Sequence, residues 1–300
     1  MSRYLVAHLS DLHLRDGDDV AWLDRQLTRI VEQHPVHLAV TGDLLDRWNP
    51  ALLERALDAF GAHGLLDGER LTLLHGNHDL ASSGGHPRNN ADLWRLALRF
   101  WDLPPLLRRR RRQFYSSIGA RAGQVAQRAP WVKTVANGLR LATIDTVSFP
   151  WRPILFESGA VVVRHAIGHS SPHEVDWLAQ QRGDAPLILL VHHYPLQTAP
   201  YTWRPDRSVG RGLATLSKVV REVRVPMAIE EPERERFWQA ARDAGVRLVL
   251  CGHVHRARLD WHEGIAVGLN GQSGAEWAGR TIAYYEVSEG SVSMRSEHVG

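Results

Sequence analysis

Cysteine is nearly missing from this chain. Cys251 stands alone in 300 residues, so no internal disulfide can staple the fold. Its place at the end of the apolar run Val246-Arg247-Leu248-Val249-Leu250 suits a small packed hydrophobe. Lysine is scarce as well: Lys133 and Lys218 are the only two among 36 basic residues, and the net charge is +3. The arginines that take their place reflect composition more than function, apart from the local run Arg108 to Arg112. No apolar run approaches the roughly 18–20 residues that a membrane span needs. The amino terminus passes from Met1-Ser2-Arg3 straight into an apolar run, without the basic, apolar and cleavage regions of a signal peptide. The expectation is a cytoplasmic protein. Internal repeats and low-complexity linkers are lacking too. What remains is 44% apolar and 23% charged, a composition that suits a globular chain with ample core.

Five short apolar runs stand out, and each stops where a metal-seeking side chain begins. Leu5 to Leu9 leads into Ser10-Asp11-Leu12-His13, and Val36 to Val40 into Gly42-Asp43. Leu71 to Leu74 leads into Gly76-Asn77-His78-Asp79. Leu187 to Val191 leads into His192-His193, and Val246 to Cys251 into Gly252-His253-Val254-His255. Apolar runs of this length, bounded by glycine and polar residues, read as buried strands. Side chains just past the carboxyl ends of such strands can converge in one crevice.

Amphipathic helices fill the gaps. Val20, Leu23, Leu27, Ile30 and Val31 share a face, with Asp18 or Asp19 available as N-cap. Leu53, Ala56, Leu57 and Phe60 form a second face behind Pro50. Helix starts are also predicted at Ser171-Pro172 and over Glu233 to Ala244, closed by Gly245. The alternation of strands and helices predicts α/β layering. Ile265 to Leu269, Thr281 to Val287 and Ser291 to Arg295 read as a meander of antiparallel strands completing a second sheet. Residues 1–300 read as a single domain with insertions at about 84–130 and 196–228. The first insertion holds a helical segment (Leu93, Leu96, Ala97, Phe100, Trp101) and the arginine run; the second has no clear period.

Asp and Asn oxygens combined with His nitrogens suit borderline divalent ions such as Mn, Fe, Zn or Co; an oxygen-only set would suggest Mg or Ca. His253 and His255, two apart on a strand end, need a turn to serve one site together, and Gly252 permits it. His8, His34, His37, His63 and His75 fit ordinary hydrogen-bonded structural roles. Asp46, three residues after Asp43, fits either a contact behind the site or a cap for the helix that follows.

Taken in order, Asp-x-His, Gly-Asp, Gly-Asn-His-Asp, a strand-end His and Gly-His-x-His resemble the calcineurin-like metallophosphoesterase superfamily. The resemblance runs from Asp11 to His255 with every motif intact. It implies that Asp11, His13 and His255 hold one metal, that Asn77, His192 and His253 hold a second, and that Asp43 bridges them. The family commonly places the ligand first in a His-His pair, which is His192. The sequence His193-Tyr194-Pro195 also fits a His-Tyr-Pro form of the motif. The implied fold is α/β, a four-layer α/β/β/α sandwich of two mixed sheets flanked by helices. Two cations about 3.5–4 Å apart would polarise phosphoryl oxygens and acidify a bridging water for in-line attack. His78 is then expected to assist the leaving group, with Asp79 orienting its ring.

The function expected is a dinuclear, metal-dependent phosphodiester hydrolase acting on a small molecule. The motifs and length resemble the bacterial cyclic-nucleotide phosphodiesterase branch, and a cyclic nucleotide, nucleotide or glycerophosphodiester would suit. The alternatives are a phosphomonoesterase, a nuclease favoured by the arginine run, or a non-catalytic scaffold of the same fold. Tyr201, Trp203, Arg204, Trp151 and Arg152 are candidates for stacking on a base; packing of an irregular lid explains them equally well.

Overall fold

The computed structural model describes residues 3–83, 101–122, 125–152, 154–204, 221–270 and 281–299. Among these residues fifteen strands appear in chain order. They are β1 (Tyr4–Leu9), β2 (His37–Thr41), β3 (Leu71–Leu74), β4 (Trp131–Thr134), β5 (Arg140–Thr143), β6 (Ile154–Glu157), β7 (Ala160–Val163) and β8 (Leu187–Leu190), then β9 (Tyr201–Trp203), β10 (Glu222–Val225), β11 (Val246–Cys251), β12 (Arg258–His262), β13 (Ile265–Leu269), β14 (Thr281–Val287) and β15 (Val292–His298). Among the described residues five α-helices lie between them: α1 (Gly17–Glu32), α2 (Pro50–Ala62), α3 (Pro104–Ala122), α4 (Pro172–Ala179) and α5 (Glu233–Asp243).

The first sheet has the order β15-β14-β1-β2-β3, with β1, β2 and β3 parallel. The second has the order β12-β13-β11-β8-β5-β4, with the four central strands parallel and an antiparallel strand at each edge. Their facing surfaces meet in one cluster: Val6, Ala39, Leu74 and Tyr285 from the first sheet pack with Leu141, Ile188, Leu190, Leu248 and Leu250 from the second. Each fully buried aliphatic side chain there contributes about 1.5–3 kcal/mol. The outer face of the first sheet is covered by α1, α2 and α3 through Leu23, Leu27, Leu53, Phe60 and Phe114. The outer face of the second is covered by α4 and α5 through Leu178, Phe237 and Trp238. This is the four-layer α/β/β/α arrangement. It explains why the β1, β2, β8 and β11 sequences are almost wholly apolar: both faces of those strands are covered.

Three details differ from the sequence reading. The tail does not form one meander: β13 pairs parallel to β11 in the second sheet, whereas β14 pairs antiparallel to β1 and β15 to β14 in the first. A small third sheet, β6-β7-β10-β9, was not expected; its strands are three or four residues long, too short to show a period. Asp16, not Asp18 or Asp19, caps α1, accepting from the backbone of both. The predicted segment Leu93 to Phe100 lies outside the described residues.

Candidate metal centre

The parallel strands β1, β2 and β3 of one sheet and β5, β8 and β11 of the other end at a common edge, and the chain turns sharply there. Asp11 (φ 52°), His13 (46°), Asp43 (52°), His253 (68°) and His255 (56°) all adopt the left-handed region. Each such residue costs about 1–3 kcal/mol and persists only where its surroundings enforce it. Here the loops brace one another: Asp11 N donates to Gly42 O (3.1 Å), His13 N to Asp43 O (2.9 Å) and Gly252 N to His192 O (3.0 Å). The turn at Gly-His-x-His is therefore made by the histidines themselves. Gly252 is required for room, because a Cβ there would strike Ser10 Oγ and come within 2.5 Å of Asp11 Oδ2. Gly76 is required likewise, since a Cβ would collide with Asp43 Oδ1.

These turns bring the seven predicted ligands together. His255 Nε2 lies 3.3 Å from both Asp11 Oδ1 and His13 Nε2, and His13 Nε2 lies 4.0 Å from Asp11 Oδ1. On the other side, His192 Nε2 lies 3.0 Å from Asn77 Oδ1. One ring nitrogen from each of His192, His193 and His253 lies within 4.8 Å of the others. Asp43 stands between the groups, its Oδ2 3.9 Å from His13 Nε2 and 3.4 Å from His192 Nε2.

Hydrogen bonds on the far side of each ring decide which nitrogen faces inward, because a carbonyl can only accept. His192 Nδ1 donates to Thr41 O (2.9 Å), leaving Nε2 for the site. His253 Nε2 donates to Pro226 O (3.2 Å), leaving Nδ1. His78 Nδ1 donates to Asp46 O (3.0 Å), leaving Nε2.

Burial alone would raise the pKa of Asp11 and Asp43. The imidazoles around them outweigh it, chiefly His255 for Asp11, which falls to about 2, and His192 for Asp43, which is held well below the carboxylate range. Burial would conversely lower His192, and Asp43 outweighs it to raise that imidazole. Without a cation, the proton on His192 balances Asp43; a divalent ion would displace it. Three further observations fit cations of mixed N/O preference. Asn77 Nδ2 is buried without a hydrogen-bond partner, and the buried Asp43 Oδ2 has the long 3.4 Å ion pair with His192 Nε2. The imidazole nitrogens of His13 and His255 face each other at 3.3 Å, a pairing that needs a proton or cation between them. Asp11 and Asp43 are both wholly buried beside one another, which carboxylates tolerate only with compensating positive charge.

The profile of the calcineurin-like phosphoesterase family matches residues 4–257. The chain belongs to this family. It is a metal-dependent phosphoester hydrolase, and its family works with divalent metal ions. Among solved structures it is similar to a dimetal phosphatase from Danio rerio (12% identity, TM-score 0.56, covering 98% of this chain and 95% of that one). It is similar also to a putative 5'-nucleotidase from Staphylococcus aureus (13% identity, TM-score 0.51), where 98% of this chain covers 53% of the other. A third is GAP50, the anchor in the inner membrane complex of Plasmodium (12% identity, TM-score 0.50, covering 99% and 84%). At such identities these likenesses concern the fold. No curated protein matches the sequence.

Asp79 of this phosphoesterase is not placed to orient His78 as expected. Its carboxylate accepts from Leu45 N and Gly76 N, each at 2.7 Å, tying the loop after β2 to the loop after β3. Burial, and after it the charge of Asp43, raises its pKa to about 7. The group that turns the His78 ring is the Asp46 carbonyl. Asp46 also brings Oδ1 to 4.0 Å from His13 Nδ1, while the cap of α2 is Asn49, which decides the two readings of Asp46 for the site. His8, His37, His63 and His75 bond to Thr41, Glu69 and Thr72, Asp24 and Tyr115 respectively.

Sequence reasoning missed Thr146. Its hydroxyl accepts from His192 N (3.3 Å) and His193 N (3.1 Å) and lies 3.1 Å from His193 Nδ1. The signal was a sixth, partly apolar stretch, Leu139 to Ile144, interrupted by Arg140 and Thr143, which holds β5 and pairs with β8. The arginine run is divided by its helix: Arg108, Arg109 and Arg112 are exposed, while Arg110 and Arg111 turn inward. Arg110 Nη1 donates to Leu80 O (2.6 Å) and Asp102 (3.1 Å), and Arg111 Nη1 pairs with Asp145 (2.5 Å). Trp151, Arg152, Tyr201 and Arg204 are exposed; the Trp203 side chain lies outside the described set.

Proposed function

We propose that the chain is a dinuclear phosphodiesterase, with one cation on Asp11, His13 and His255, a second on Asn77, His192 and His253, and Asp43 shared. The observation that carries this reading is the position of Asp43 Oδ2 between His13 Nε2 and His192 Nε2. The chemistry that bound Mn, Fe, Zn or Co ions supply is polarisation of phosphoryl oxygens and acidification of water. The protein's own groups do the rest. Water gives up a proton to solvent as it attacks phosphorus, and the P–O ester bond opposite it breaks. His78, held at Nδ1 by Asp46 O, has only Nε2 to offer and as the imidazolium gives that proton to the departing oxygen. Asn77 Nδ2, buried and without a partner in the protein, is an N–H donor available to a phosphoryl oxygen.

A monoester dianion carries one more negative charge than a diester and is commonly gripped by arginine; among the described residues Arg110, Arg111 and Arg258 are already paired with Asp102, Asp145 and Asp260, which favours the diester. A scaffold without turnover is disfavoured because the whole ligand set and His78 are together at the site.

The test is turnover of bis(p-nitrophenyl) phosphate against p-nitrophenyl phosphate by Mn-loaded protein, with metal content measured on the same sample. Faster cleavage of the diester, and a loss of about 10²–10⁴ in kcat for His78→Ala with metal retained, is the expected result. Cleavage of the monoester alone would make it a phosphomonoesterase. No metal and no turnover would leave the scaffold.

A further inference from the structure

We propose that Asp145, held by Arg111, is a positioning residue for the second cation: from behind the site it fixes the loop that carries Asn77 against the loop that carries His192. The inference rests on the dinuclear hydrolase reading. It gives a task to one arginine of the Arg108 to Arg112 run, which the proposed chemistry leaves unused.

The two loops come from different sheets. Asn77 follows β3 in the first and His192 follows β8 in the second, and Asn77 Oδ1 lies 3.0 Å from His192 Nε2. The strands do not pair with each other, so no backbone ladder sets that distance. The Asp145 carboxylate meets both loops. Its Oδ1 lies 3.5 Å from Nε2 of His75, two residues before Asn77, and accepts from Val147 N at 2.9 Å. Between Asp145 and Val147 stands Thr146, whose hydroxyl accepts from His192 N at 3.3 Å. Asp145 Oδ2 pairs with Arg111 Nη1 at 2.5 Å, and Asp145 N donates to Glu174 Oε2 at 2.6 Å. One carboxylate thus joins α3 and the loop after β3, on the first sheet, to the loop after β5 that braces His192.

The joint is shielded from water. Side-chain exposure is 3% for His75, 9% for Asp145 and 13% for Arg111. Arg111 and Tyr115 stand four residues apart on one face of α3, and both reach the same pair: Tyr115 OH lies 2.8 Å from His75 Nδ1. Arg111 is steadied by Phe149, whose ring centroid lies 4.6 Å from Cζ. A buried ion pair contributes little net stability against apolar side chains of the same volume, but it constrains where its partners stand. The neighbouring Arg110 differs, for its bonds to Leu80 O and Asp102 stay on the first-sheet side. His192 has a second brace in Thr41 O, so removal of Asp145 should loosen the Asn77–His192 spacing rather than dismantle it. Asp11, His13 and His255 stand on the loops after β1 and β11, which are joined instead by Asp11 accepting from His253 N.

The experiment titrates the metal-free full chain with Mn and reads stoichiometry and the two affinities by calorimetry, with the melting temperature of each variant as a check on folding. Asp145→Ala is expected to hold one ion with wild-type affinity and the other about 10–100-fold more weakly, the size of effect seen when groups behind a ligand are removed. Adding His255→Ala should remove the tight ion. Arg111→Met should weaken the same ion as Asp145→Ala does, and should add little to it in the double variant, because the two act as one unit. Arg111→Lys should recover part of the loss. Asp145→Asn keeps an oxygen for Val147 N without the charge; it should weaken that ion in the same direction, and it carries the test if Asp145→Ala does not fold. Arg110→Ala, a destabilising change on the same helix, should leave both affinities as they are. Equal weakening of both ions, or of neither, in the Asp145 variants would overturn the assignment, as would the same selective loss in Arg110→Ala. A wild-type chain that binds no Mn and cleaves no diester would overturn the hydrolase reading itself, an outcome distinct from these.

Discussion

The half of the site carried by the five-stranded sheet and the half carried by the six-stranded sheet differ in what they bring. Among the described residues, the first supplies Asp11, Asp43, Asn77 and Asp79 with His13 and His78, and the second supplies imidazoles alone. The carboxylates of the first half also shape the loops. Both oxygens of Asp11 accept from His253 N at 3.0 Å, Asp43 Oδ1 accepts from His78 N at 2.7 Å, and Asp79 joins two loops. The imidazoles of the second half brace nothing comparable and are themselves oriented by Thr41 O and Pro226 O. Charge and backbone shape are thus inseparable in the first half, while the second contributes coordination on a frame that others hold.

The sharpest way to break this comparison is to set Asp43→Ala beside His255→Ala. Asp43→Ala should abolish metal retention and turnover. It should also lower the melting temperature in chelator, because the buried His78 N–H left without an acceptor costs about 1–3 kcal/mol. His255→Ala should lose metal with a clearly smaller change in chelator; equal shifts would end the distinction. Next in size, Asp79→Asn should destabilise the chain by about 1–3 kcal/mol, since its amide turns an N–H₂ toward one of two N–H donors. Metal should stay bound and kcat should fall less than in His78→Ala. A loss equal to that of His78→Ala would return Asp79 to the reaction.

Arg110→Ala should cost about 1–3 kcal/mol by denaturant titration, for it strips the charged partner from the buried Asp102 and leaves that carboxylate to the Ser82 N–H and hydroxyl, whereas Arg108→Ala on the exposed side of α3 should stay within about 0.5 kcal/mol. The smallest effect near neutrality concerns His37, whose pKa burial lowers from 6.5 to about 3. A folded-state pKa below the unfolded one means that the unfolded chain binds the proton first. Stability contributed by neutral His37 is complete above about 6.5 and is lost as pH falls toward about 3. His37→Gln should flatten that slope in acid unfolding; an unchanged slope would assign the acid sensitivity elsewhere.

The candidate ligands stood out because each ends an apolar run, and a run buried on both faces leaves an unmistakable composition. Loop conformation was not readable in the same way. Nothing in Asp11, Asp43 or His253 as letters announces a positive φ, which arises from bonds such as His253 N to Asp11 across the whole chain. Asp79 was misassigned for a related reason: adjacency to His78 suggested a local partner, while its actual partners include Leu45, 34 residues away. Thr146 carries no motif at all, and its place follows from the parallel pairing of β5 with β8. The third sheet was hidden by strands too short for periodicity to register.

The bond between Asp11 and His253 closes a separation of 242 residues, and His13 meets His255 across the same span. Neither pairing can exist until nearly all of the chain has been laid down and both sheets have docked. A cation with high affinity for the finished site therefore acts late in the life of the polypeptide, as a seal on a completed assembly. Metal retained through gel filtration would then count finished molecules, and a preparation short of metal could be short of folded chain before it is short of ions.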